Sequence, residues 1–177
     1  MPDAPGLELI RGEIERDHPG AVRATSFDRE QAALIVDPEQ VLAVLSWLRE
    51  TPGQGYRFLA SLHAADYLPA EPRFGIHYEL LNRDRCERIR VKAMLSDPSA
   101  NGAGPDALPA IDSCVELFPT ANFQEREVFD FFGIHFRGHP DLTRILLPED
   151  YVGWPQRRDF PVGGEPVTFT YNERNYG

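Results

Sequence analysis

Between residues 74 and 95 the chain alternates apolar and polar side chains twice, with a polar turn between the two runs. Phe74, Ile76, Tyr78 and Leu80 fall on one side, with Arg73, His77 and Glu79 on the other. After a turn through residues 82–84, Ile89, Val91, Ala93 and Leu95 alternate with Arg88, Arg90 and Lys92. A strand sends successive side chains to opposite faces, so the pattern predicts a β-hairpin with one face toward the core and one toward water. A lone hairpin is marginal in water. The rest of the chain must supply neighbouring strands and a layer over the apolar face.

The flanking sequence supplies both. Leu7, Ile10 and Ile14 recur at helical spacing over residues 5–17, and His18-Pro19-Gly20 ends that helix. Two short strands are predicted at 22–27 and 32–36, joined by a polar turn. Asp37 before Pro38 caps a second helix with a buried stripe of Val41, Val44, Leu45 and Leu48, which Thr51-Pro52-Gly53 stops. Residues 58–66 read as a strand whose apolar residues run too continuously for a half-exposed position, and residues 111–118 as a short helix after a Pro/Gly-rich loop. The expected fold is α+β: two layers, helices packed on a mixed β-sheet, in one domain over residues 1–161. An extended polar tail, residues 162–177, carries too little apolar surface to fold alone and is expected to lie along a partner chain.

Charge and cysteine usage narrow the function. The net charge of −10 argues against nucleic acid or an anionic membrane as a partner of this chain alone. The longest apolar run, VLAVLSWL, is too short to span a bilayer, and acidic residues near the start disfavour a secretory signal, so a soluble cytosolic domain is expected. Cys86 and Cys114 stand apart with no CxxC, which argues against an iron–sulfur cluster held by this chain. Gly102, Gly104 and Ala107 match a loose dinucleotide fingerprint, but they follow a hairpin arm, and Pro105 and Pro109 oppose the required phosphate loop and helix.

The densest stretch is residues 122–161. Asn122 with Glu125 three positions later resembles a capping box, and Gly133 stands where a left-handed helix end would lie. On the helix between, Arg126, Glu127 and Asp130 share a stripe with Phe123, and ion pairing among the charged residues, or with a partner, is the expected use of the set. Farther on, Trp154, Arg157, Arg158 and Asp159 lie close to Tyr151 in a loop broken by Gly153 and Pro155. Trp154 either folds back on its own core or anchors an interface. The basic pair beside Asp159 suggests docking to an acidic surface.

The run EREVFDFFGI, then GHPDL with His139 and Pro140, RIL with Arg144, PED, Gly-x-Pro and RRDFP resembles the signature of the 30 kDa, or C, subunit of respiratory complex I, the proton-translocating NADH-quinone oxidoreductase. One departure is Thr143, where the family usually has a basic residue before Arg144. The resemblance implies a non-catalytic peripheral-arm subunit. It would bind no cofactor, with FMN, iron–sulfur clusters and quinone on other subunits. It would sit on the cytoplasmic side of the inner membrane, attached only through the complex. Its partners would be the hydrogenase-like D subunit, which helps form the quinone site, and neighbouring iron–sulfur subunits. Membrane-bound hydrogenases and deazaflavin-dependent dehydrogenases reuse the same module. The rival of another class is a free-standing metal enzyme on His135, His139 and Asp141, although Gly138 and Pro140 break the helix such a pair would need. A hydrogen-bonded, turn-stabilising histidine is the plainer expectation.

Overall fold

The computed structural model describes residues 2–99, 102–104 and 107–161, so the tail expected at 162–177 lies outside the described residues. Helix α1 (Ala4–Asp17) leads into β1 (Val22–Asp28) and β2 (Gln31–Val36); a 3-10 turn (Pro38–Gln40) opens α2 (Val41–Glu50). Three longer strands follow, β3 (Phe58–Asp66), β4 (Phe74–Asn82) and β5 (Glu87–Leu95), then β6 (Ala110–Asp112), α3 (Ala121–Phe132) and β7 (His135–Arg137). The sheet has the order β1-β2-β5-β4-β3 and is mixed: β2 and β5 run parallel, every other pair antiparallel. Among the described residues no helix is long and apolar enough to cross a membrane.

The 74–95 alternation sets the layers. Leu80 faces Ile89, Tyr78 faces Val91, Ile76 faces Ala93 and Phe74 faces Leu95, so all eight side chains share one face. The parallel strand adds Leu34 opposite Val91 and Val36 opposite Ala93. That face is one core with Leu7, Ile10 and Ile14 of α1, Val44, Leu45 and Leu48 of α2, and Val128 and Phe132 of α3. Three helices thus cover one side of the mixed sheet, as an α+β two-layer fold requires.

Three local expectations are corrected. Strand β3 is not doubly buried; it is an edge strand with Phe58, Ala60 and His63 exposed. A bulge between Leu59 and Ser61 brings both Leu59 and Leu62 inward, which makes the apolar run look continuous. Its free edge is covered by α3: the Leu62 amide donates to Gln124 Oε1, and the Thr120 hydroxyl donates to the Leu59 carbonyl. Residues 111–118 are not a helix. Ile111 pairs with Phe136 in a parallel bridge, leaving one turn closed by Phe118 N–H to Cys114 O before Pro119. Finally, the outward side of the hairpin is only partly wet, because Arg73 and His77 are buried. Tyr67 packs on Gly75, where a Cβ would sit 2.8 Å from Tyr67 Cε2.

Candidate functional site

Helix α3 ends at Gly133 in the expected left-handed conformation, φ 66°. Its first turn differs from expectation. Thr120 stands at the N-cap, and Glu125 does not cap; its carboxylate accepts Ser113 Oγ–H at 2.6 Å and the Cys114 amide at 2.8 Å. Glu125 is fully buried, and burial pushes its carboxyl up against those donors. Reaching down instead of back, it ties the 113–114 turn to α3.

One turn on, Asp130 is fully buried and organises the following loop. Its Oδ2 accepts the amides of Ile145, Leu146 and Leu147 at 2.8–3.1 Å, and its Oδ1 accepts Arg144 Nη1 at 2.8 Å. Burial pushes the carboxyl up, but these four donors win and hold it below the usual carboxylate range. Arg144 then spends its other nitrogen on the carbonyls of Tyr151 and Gly153, and its guanidinium stacks 4.6 Å from the Trp154 ring centroid. One carboxylate and one arginine therefore fold the 144–154 segment onto α3.

The expected pairing of Arg126 with Glu125, Glu127 and Asp130 does not occur. Arg126 donates to the carbonyls of Thr143 and Arg144 and to Thr143 Oγ1. Thr143, the departure from the family pattern, is an acceptor here, a role a basic side chain cannot fill.

A second cluster holds the RRDFP segment. Arg73, just before β4, grips Asp66 with two nitrogens at 2.7 and 3.0 Å and Asp159 with two at 2.7 and 2.9 Å, and reaches Asp97 at 2.7 Å. Asp66 and Asp97 are almost fully buried. The planar guanidinium can serve two carboxylates bidentately at once, which lysine cannot. The Arg158 amide donates to Asp66 and its side chain to the Leu68 carbonyl. Arg157 Nε donates to the Phe132 carbonyl, the guanidinium lies 5.0 Å over Phe74, and Nη2 has no hydrogen-bond partner among the described residues. Burial, then the nearby Arg73 charge, pulls its pKa down. The basic pair is thus tied to its own domain, with only Arg158 left well exposed. Nothing in the sequence flags Arg73, Asp66 or Asp97 as partners of Asp159; the only signal is an arginine at the apolar end of a strand.

Trp154 folds back. It packs edge-on to Phe129 at 5.3 Å and sits so close to Gly133 that a Cβ there would collide with the indole ring. Gly133 is needed twice, for its positive φ and for this contact. His139 and Pro140 form the turn after β7: Asp141 N–H donates to His139 Nδ1, which places the proton on Nε2, facing the Asn122 carbonyl at 3.1 Å. His135 is exposed on β7 and the two rings share no ligand geometry; no group of three His, Cys, Asp or Glu is placed to hold a metal among the described residues. Glu127 lines a shallow cleft of about 250 Å³ with Gln124, Phe131, His63 and Gln156.

Beside exposed charges such as Glu149, Asp150 and Arg158, the segment and α3 leave three large apolar side chains at the surface. Phe123 is 64% exposed, Leu146 61% and Val152 88%. Leu146 has its own amide and both flanking amides held by Asp130, and Val152 sits between the two carbonyls held by Arg144.

The chain is an α+β domain of helices on one face of a mixed five-stranded sheet, with two buried charged clusters that fix the segment after α3. Residues 34–166 match the family described as respiratory-chain NADH dehydrogenase, 30 Kd subunit, and the chain belongs to that family. It is 43% identical over 155 residues to the C subunit of the NADH-quinone oxidoreductase of Roseiflexus castenholzii, covering 88% of this chain and 84% of that one. It is 44% identical to the C subunit of the Herpetosiphon aurantiacus enzyme over 79% of this chain and 77% of that one. Among solved structures it resembles a chain of an archaeal respiratory membrane complex, the membrane-bound sulfane sulfur reductase, with a TM-score of 0.66 at 23% identity, over 96% of this chain and 90% of that one. That likeness is one of fold.

Proposed function

We propose that this chain is the non-catalytic peripheral-arm subunit of a proton-translocating NADH-quinone oxidoreductase, and that it holds the quinone-site D subunit and its iron–sulfur neighbours in register. FMN, clusters and quinone sit on other subunits of the complex, and the chain reaches the cytoplasmic side of the membrane only through that complex. One observation carries the reading: the signature charges Asp130 and Arg144 are consumed in fixing a loop that displays Leu146 and Val152. Exposed apolar side chains on a pinned backbone form a contact surface with little ordering left to do on binding.

The test is the double substitution Leu146→Asp/Val152→Asp in the full chain, expressed with its complex. Neither side chain supports the core, so the chain should fold. Membranes should lose most NADH-quinone activity, and the other subunits should no longer co-purify. Full activity and full co-purification would overturn the proposal.

A further inference from the structure

The side of the five-stranded sheet that the helices do not cover has a character of its own. Register places Arg90 beside Ala33 on one flank and Glu79 on the other, and Lys92 between Ile35 and His77, all pointing away from the core. The next outward position on β5 is Arg88. Two adjoining depressions, of about 290 and 270 Å³, share Gln31 and Arg90; one is lined further by Glu79 and Arg88, the other by Ser26, Asp28 and Arg29. At about 4.8 Å between strands the trough runs roughly 15 Å across β1, β2, β5 and β4, enough for a helix or a short extended segment.

Its charge opposes that of the molecule. Three cations, Arg29, Arg88 and Arg90, line it against two carboxylates, Asp28 and Glu79, in a chain of net charge −10, and Lys92 follows on β5. Both carboxylates are already used: Glu79 pairs with Arg90, and Asp28 lies 3.9 Å from Arg29. Arg88 is exposed and has no carboxylate partner among the described residues, and the Lys92 ammonium donates to Tyr67 Oη, a neutral group. The floor between them is made of small or half-buried residues, Ala24, Ala33 and Ile35.

We infer that this trough is a second docking surface, for an acidic protein segment of a neighbouring subunit, distinct from the Leu146/Val152 face that follows α3. The inference rests on the subunit reading above. A nucleic acid or anionic membrane is larger than the trough and would also face the acidic surface around it, whereas a short carboxylate-rich segment lying within it meets the local cations, the remaining charge being screened over about 8–10 Å.

The test uses the full chain and the rest of the complex prepared without it. Arg29→Glu/Arg88→Glu alters two exposed side chains, so thermal unfolding should match the wild type. Its association with the complex should weaken about tenfold at physiological salt, and the wild type's loss of affinity with added salt should flatten in the variant. A benzophenone amino acid in place of Arg88 should cross-link in native membranes to a neighbouring peptide rich in Asp and Glu. Unchanged association, or cross-linking to lipid or to a carboxylate-free peptide, would overturn the inference. If Leu146→Asp/Val152→Asp also assembles normally, the subunit reading fails; if only that variant is impaired, the fault lies with the trough alone.

Discussion

The sheet with its helices and the loop segment 144–160 are held in place by opposite means. In the sheet, stability comes from many interchangeable apolar contacts spread over its strands and the three helices. In the segment, it comes from two charged groups, Asp130 and Arg73, each buried and each serving four or more hydrogen bonds. Losing one methylene group from the sheet removes a small share of a large sum. Removing one carboxylate from the segment leaves several buried donors without an acceptor, which is the more costly kind of loss. The proposed contact surface is therefore built on the less redundant of the two halves.

The largest expected effect attacks that contrast directly. Asp130→Ala strands Arg144 and three amides, and should remove about 3–5 kcal/mol of the energy that closes the loop. In hydrogen exchange, the amides of Ile145, Leu146 and Leu147 should lose nearly all protection, while those of Ile76 and Val91 keep theirs. Equal loss in both regions would show that the two halves are not held separately.

Next comes a weak point inside the sheet. Tyr67 Oη accepts a hydrogen bond from the Lys92 ammonium and so turns its own O–H toward His77 Nε2, which suits a neutral imidazole. Burial, with the cationic or stacked neighbours His63, Lys92 and Arg90, pulls His77 down to about 3. Since the unfolded chain takes up this proton near pH 6.5, stability is fully present above that pH and is lost as pH falls toward 3, by about 1.4 kcal/mol per pH unit. Denaturant melts between pH 6 and 4.5 should show the slope, and His77→Phe should remove it. A variant with the same slope as the wild type would place the titration elsewhere.

The smallest effect sharpens the account of α3. Arg126 donates only to carbonyls and a hydroxyl at a partly exposed site, so Arg126→Ala should cost under about 1 kcal/mol. A loss several times larger would mean that it balances the buried carboxylates after all.

The same division explains what can be read from the sequence. The β4–β5 ribbon, the α2 stripe and the Gly133 helix end are legible because each depends on neighbours a few positions away. The locks are not, because Arg73 and Asp159 stand 86 residues apart and no local periodicity links them. Glu125 looks like a cap because spacing cannot show that its side chain is better used by Ser113 and Cys114. Residues 111–118 look helical by composition, yet Ile111 is committed to a bridge with Phe136. Trp154 can be placed only once Gly133 is known to leave room for it.

The cover that α3 lays over β3 has a further consequence. An edge strand with free amides invites the same strand of another copy, and a chain made in quantity before its partners arrive is exposed to that hazard. With the Leu62 amide already engaged by Gln124 and the Leu59 carbonyl by Thr120, this border offers a poor template for fibrous self-association. The opposite border, β1, is polar and charged at Arg23, Thr25, Ser26 and Asp28. A protein waiting for assembly is thereby kept from polymerising along its own sheet.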